Sequence, residues 1–295
     1  MRTNMILKNN KGVTLIELMI VMVIAAILVG GVYTLFATQQ RSYFVQDRVA
    51  GIQQDARAAL AIMAKEIRMA GFLTGPGSGT GFANSVPVGI YNYAVEPTNG
   101  GSNNPDEITI VLATGSFATL LSVNGQRVTL SSGSSVQPND FIAFEDDKQV
   151  YKVLQIDFPN DGDIKLDDVP PTHLVTIGAQ AYSVQAITYR INGASLEKAG
   201  NPLAGDGATT VVEDLQFAYQ VEGDTSNWYN TPGDAGATNA DIRAVRINII
   251  VRTAVPDPED TTFTQPSLED HTGSLAGPDG FRRRVYTTVV KVRNL

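Results

Sequence analysis

Residues 11–37 read KGVTLIELMIVMVIAAILVGGVYTLFA, and this stretch decides how the rest of the chain is read. From Leu18 to Phe36, Thr34 is the one clearly polar side chain. An apolar run of about 18 residues or more predicts a membrane-spanning helix. Upstream lie Arg2, Lys8 and Lys11, with no acid before Glu17. That bias keeps the N-terminus on the cytoplasmic side and sends the remainder outward. The run is too long for a secretory h-region, and no small-residue cleavage box follows it. Glu17 is a carboxylate at the cytoplasmic end of an apolar segment. A charge at the centre of such a helix costs about 2.5–3.5 kcal/mol on insertion scales, so it is kept for a function unless it lies shallow enough to reach the headgroups.

Outward from this stretch the helical pattern continues. Val45, Val49, Ile52, Ala56, Leu60, Met63, Ile67 and Ala70 recur at steps of three and four, one face of an amphipathic helix. No proline interrupts Val13 to Leu73, and Gly75-Pro76-Gly77 ends the pattern. A helix from Val13 to Ala70 spans about 87 Å at 1.5 Å per residue. Gly30-Gly31 inside the spanning half is either a close-packing site or a weak point where the helix unwinds.

Beyond Gly75 short β-branched runs alternate with Gly, Pro, Asn, Asp and Ser, which predicts strands and loops. Strands are expected at 86–91, 107–112, 118–123, 127–131, 141–145, 149–156, 173–177, 182–191, 210–221, 242–253 and 284–293. Asn124-Gly125 and Asn192-Gly193 are hairpin signals, so the pairing is expected to be antiparallel. In 242–253, Val245, Ile247, Ile249 and Val251 alternate with Arg246, Asn248, Ile250 and Arg252, which predicts one buried and one largely wet face. Long loops fall at 74–85, 96–106, 222–241 and 254–280. Trp228 and Tyr229 on the third of these are either a partner contact or an aromatic pair that packs back on the domain. The fold class is α+β: a long N-terminal helix on an antiparallel β domain. Its segments are 1–12, 13–37 (transmembrane), 38–73 (amphipathic) and 74–295 (exported and β-rich).

Composition narrows the function. The 295 residues carry a net charge of −8, and removing residues 1–12 takes away three cations and no acid, giving −11. That argues against nucleic-acid binding. There is no cysteine, so the exported part holds no disulfide, and thiol catalysis and Cys-metal sites are excluded. His173 and His271 have no recognised metal or catalytic spacing around them. Gly75 to Gly81 is glycine-rich but lacks the lysine of a phosphate loop. Asp157, Asp161, Asp163, Asp167 and Asp168 offer oxygen ligands without a calcium-loop pattern, and read as a solvated turn. No catalytic residue, metal or cofactor is expected, and the protein is not expected to be an enzyme.

Lys11-Gly12-Val13-Thr14-Leu15-Ile16-Glu17-Leu18 resembles the processing site of type IV prepilins and pseudopilins. The resemblance implies a pilin-like fold, cleavage after Gly12 by a prepilin peptidase, N-methylation of Val13, and a need for Glu17 in assembly. Val13 stands where Phe is commoner. Cleavage would leave a positive amine on Val13, and the Glu17 carboxylate of one subunit can face the amine of another in a dry fibre core, since a buried charge is tolerated when paired.

Three further stretches are similar to the PilW-like minor pilins: Ser42 to Phe72, Val211 to Tyr219 followed by AVRINIIVRT, and the closing RRVYTTVVKVRNL. With the N-terminal motif they cover about half the chain; 74–205 matches nothing recognised. The resemblance implies a minor pilin that takes part in type IV pilus assembly, in a priming complex or at the tip. Its partners would be the prepilin peptidase, other minor pilins, the major pilin, the inner-membrane assembly platform, and membrane lipid through residues 13–37. It would be a single-pass inner-membrane protein that passes into a cell-surface fibre. The alternatives are a J-type pseudopilin of type II secretion and a membrane-tethered adhesin that never polymerises.

Overall fold

The computed structural model describes residues 13–75, 88–131, 136–147, 149–157, 162–171, 175–257, 265–271 and 279–294. Gly12, His173, Asp161 and most of the Gly75 to Gly81 stretch lie outside the described residues. The chain divides into two compact units, residues 1–49 and 50–295. In the first, every described residue from Val13 to Gln40 is helical or at the helix start, and exposed. The helix α1, Leu15–Met69, continues through Gly30 and Gly31 as predicted for an uninterrupted pattern. Thr34 Oγ1 donates to the Gly31 carbonyl at 2.8 Å, which occupies the one polar side chain of the apolar run.

In the second unit the α1 residues from Ala50 onward bury one stripe: Ile52, Ala56, Ala59, Leu60, Met63 and Ile67. Among the described residues thirteen strands follow: β1 Val95–Thr98, β2 Glu107–Asn124, β3 Arg127–Leu130, β4 Phe141–Phe144, β5 Val150–Asp157, β6 Asp163–Leu166, β7 Gln180–Asn192, β8 Ser195–Lys198, β9 Asn201–Ala204, β10 Thr210–Val221, β11 Asp224–Tyr229, β12 Ile242–Thr253 and β13 Arg283–Lys291. Every recorded pairing between them is antiparallel. Both predicted hairpins form, with Asn124 opposite Arg127 and Asn192 opposite Ser195. Gly125 and Gly193 take φ of +60° and +62°, which a two-residue hairpin loop requires.

β2 and β7 pair from Ile108↔Tyr189 to Thr119↔Gln180 and serve two layers. Near the helix they form a sheet with β1, β8 and β9. At the other end β2-β3-β6-β5-β4-β7 is a ring, closed by the β2–β7 pairing into a six-stranded barrel. The barrel has its own core, including Leu120, Val128, Ile142, Phe144, Tyr151, Ile164 and Leu166. The stretches 107–112 and 118–123, expected as separate strands, are one strand with register shifts between Ala113 and Ala118. Bulges bend a strand and raise its twist, which lets one strand pass from a sheet into a barrel.

The second sheet runs β11-β10-β12-β13. Its inner face joins the α1 stripe and the β1, β2, β7 and β8 side chains in the largest core, with Phe217, Tyr219, Val245, Ile247, Ile249 and Val290. The C-terminal run is a strand of this sheet, as expected.

Five expectations need correction. Of the strand expected at 86–91, the described residues 88–91 form a turn closed by a single bridge between Val88 and Tyr91. The loop expected at 96–106 holds most of β1 and a 3-10 turn, Gly101–Asn103. Residues 175–177 are not a strand but lead into a turn. The segment 222–241 is not structureless: it holds β11 and two short 3-10 turns, Pro232–Ala235 and Asn239–Asp241. The outer face of β12 is not wet. Asn248 and Ile250 are buried there, because residues 268–271 and 279–283 fold over it. Arg246 and Asn248 both donate to Glu269, Arg252 lies 4.0 Å over the Phe281 ring, and buried Arg283 bridges Glu213 and Asp279.

Candidate assembly site

The apolar helix begins at a cap. Thr14 precedes the first helical residue, and its carbonyl accepts the first helical bond, from Leu18 N at 3.2 Å. Glu17 N donates to Thr14 Oγ1 at 3.3 Å, and Thr14 N donates to Glu17 Oε2 at 3.4 Å. This is a reciprocal capping box, Thr-x-x-Glu, with long and therefore weak bonds. It satisfies two of the backbone donors that a helix start leaves unpaired. Among the described residues only Oε2 of Glu17 is engaged, which leaves Oε1 for a donor from elsewhere. A carboxylate in the first turn also complements the positive end of the helix dipole.

Of the expected site residues, Val13 is 72 % exposed and Glu17 sits one turn into the helix, so the two flank Thr14. Thr14 is the residue that sequence reasoning passed over. Its signal was legible: a threonine three positions before an acid, at the edge of an apolar run. Downstream, α1 contains an 18-residue window apolar enough to cross a membrane, with none of that window buried. An apolar surface this long and bare is an interaction surface, toward lipid or toward other helices.

The other candidates resolve differently. Trp228 lies under Arg246, 4.6 Å from guanidinium carbon to ring centroid, so it packs back on the domain. His271 Nδ1 is 2.8 Å from Asp214 Oδ2, a structural pair that pins residues 268–271 to β10. Asp167 and Asp168 bind backbone N–H groups, of Lys152 and Val169.

Comparisons with known proteins follow this geometry. Residues 177–294 match the family Type IV Pilus-assembly protein W, a stretch that holds all of β7 through β13. Residues 7–33 match the Prokaryotic N-terminal methylation motif, which spans the cap and most of the apolar run. No match is found among curated proteins. A type IV-like pilin from Thermus thermophilus is similar in structure, at 12 % identity and a TM-score of 0.41, over 82 % of this chain and 95 % of that one.

Proposed function

We propose that this chain, PilW-like over residues 177–294 and carrying the N-terminal methylation motif, is a minor pilin that takes part in assembling a type IV pilus. The role is structural rather than enzymatic. The observation that supports it is a coincidence of position: the methylation motif falls on the capped start of an exposed apolar helix that leads into an antiparallel β domain.

A prepilin peptidase cuts after Gly12 on the cytoplasmic face and methylates the new amine of Val13. In the inner membrane Glu17 is held by its own helix start, through Oε2 and Thr14. When subunits stack, the Val13 amine of one and the Glu17 carboxylate of another meet in a dry core. Removing one partner would strand a buried charge, at about 3–5 kcal/mol, so the pair fixes register. Thr14 keeps the carboxylate at the helix start in the meantime. Other minor pilins, the major pilin and the assembly platform are the partners.

Mass spectrometry of fibres sheared from cells tests this. The expected result is an N-terminal peptide beginning at methylated Val13. A protein cut at Gly12 but absent from fibres, whose loss stops enzyme export, would make it a pseudopilin. A protein that keeps residues 1–12 would be a membrane-tethered binding protein.

A further inference from the structure

Most arginines of the second unit are spoken for: Arg190, Arg243, Arg246, Arg252, Arg282 and Arg283 each pair with a carboxylate. One group is not. Arg57, Lys65 and Arg68 on α1, and Arg284, Lys291 and Arg293 on or after β13, are all exposed and make no ion pair among the described residues.

Arg57, Lys65, Arg68, Arg284 and Arg293 form one ridge, and Lys291 sits with Val285 and Val289 on the other face of β13, at the same open edge. Arg57, Lys65 and Arg68 recur at helical spacing on the side of α1 away from its buried stripe. The acids of this half, Asp55 and Glu66, fall on the opposite flank, where Glu66 receives Tyr189 and Lys198 of the first sheet. β13 runs beside the basic flank. At one end Arg57 and Arg284 both act on the Tyr286 hydroxyl, opposing the rise that burial causes. At the other, Arg293 N donates to the Arg68 carbonyl at 3.2 Å, and Asn294 Nδ2 donates to those of Met69 and Ala70.

β13 is also the last strand of its sheet, paired on one side only, with β12. Its free edge presents backbone donors and acceptors. Val285 and Val289, on the face opposite α1, are 39 % and 51 % exposed. Unpaired like charges repel, so five gathered on one ridge, with Lys291 at the adjoining strand edge, favour a partner of opposite sign on a chain of net charge −8. The interleaved valines and the open strand edge favour protein over a nucleic-acid backbone.

We infer that the ridge formed by α1 and β13 is a docking face for the acidic surface of a neighbouring pilin subunit. This rests on the minor-pilin reading for the identity of the neighbour, though not for the existence of the ridge. Backbone pairing along β13 would give the contact its register, and the cations would select an acidic partner and repel a basic one.

Zero-length carbodiimide coupling in intact cells tests it, because among the described residues Lys65 on the ridge and Lys291 at the open edge of β13 supply the amines of this face. The expected result is a bond from Lys65 or Lys291 to an aspartate or glutamate of another pilin subunit. The triple variant Arg57→Glu, Arg68→Glu, Arg284→Glu should lower that product by about tenfold or more, while Lys165→Glu on the barrel leaves it unchanged. Equal protein in the membrane fraction, with equal protease resistance, separates lost docking from lost folding. Coupling only through Lys152 or Lys165, or a triple variant that couples normally, would overturn the docking face. Retention of duplex DNA by the full chain in detergent, lost in the triple variant, would also overturn it. The N-terminal peptide from the same cells reports on the minor-pilin reading separately: an uncut leader defeats that reading whatever the couplings show.

Discussion

Arg246 and Glu269 meet through two hydrogen bonds of 2.8 Å, Nε to Oε1 and Nη2 to Oε2, while the same guanidinium lies 4.6 Å over the Trp228 ring. A bidentate pair fixes both side chains. Asn248 adds a third donor to the Glu269 carboxylate at 2.6 Å. Residues 268–271 are thus tied to β12 by Glu269, to β10 by His271, and to Asn99 by Asp270.

Glu269→Ala should therefore free this turn, at about 1–3 kcal/mol for the polar groups left without a partner. Trp228 is the only tryptophan, so its emission reports the loss directly. We expect the Trp228 emission to change and its quenching by acrylamide to rise in the full chain in detergent. Unchanged emission and quenching would mean that Arg246 is held over the ring without Glu269.

Glu66 should matter as an anchor of α1. It accepts from the Tyr189 hydroxyl and from Lys198, and Tyr189 is fully buried. Glu66→Ala leaves a buried hydroxyl unpaired and should cost about 1–3 kcal/mol. Adding Tyr189→Phe removes the orphan group, so the double variant should melt above the single one. A double variant that loses the sum of both single losses would show that the two residues act independently.

The barrel should be removable. No member of the main core lies between Leu112 and Ile187, and the barrel core spans Ala118 to Ala181. Ala113 and Val184 face each other across the β2–β7 pairing, so a two-residue turn can join them. Replacing 114–183 by Asn-Gly should leave a cooperatively folding domain with native Trp228 emission. Its melting temperature should fall, because Phe72 and Leu73 lose Phe141, Ala143, Val150 and Tyr182 from the small cluster that covers them. Loss of cooperative melting would show that the main core depends on the barrel.

Asp106 carries a pH signature. Burial pushes its carboxyl up to about 6, Asp270 and Asp214 add to the rise, and the N–H groups of Phe217 and Gly100 oppose it. The unfolded value is 3.8. Between the two the folded chain holds a proton that the unfolded chain has lost, so this group's contribution to stability falls as pH rises from about 4 to about 6. Asp106→Asn cannot titrate. Denaturant midpoints at pH 7 and pH 5 should show the wild type gaining on the variant at the lower pH. A gap that does not move would place the Asp106 carboxyl in its ordinary range.

Much of this architecture was legible in the chain because it is local. The apolar run, the three-four stripe of α1 and the Asn-Gly turns each state their period or their backbone need. β10 and β12 begin and end where their β-branched runs do. What stayed hidden is long-range. The outer face of β12 reads as wet because Arg246, Asn248 and Arg252 are polar, yet their partners Glu269 and Glu213 lie 23 and 39 residues away along the chain. Short strands such as β8 and β9 have little pattern of their own: β8 exists because β7 offers it an edge, and β9 because β8 does. At the helix start, Thr14-x-x-Glu17 was readable as a cap, because both partners of its hydrogen bonds lie within one turn of each other.

The passage of β2 and β7 from sheet to barrel has a mechanical consequence. Both strands run unbroken from the helix-backed sheet into the ring, side by side. A pull on the barrel along their length is carried by two covalent backbones, and the hydrogen bonds between these strands are not the series links that must break for the load to reach the sheet. Under such a pull, the barrel would behave less like a bead on a tether than like the end of a two-ply beam.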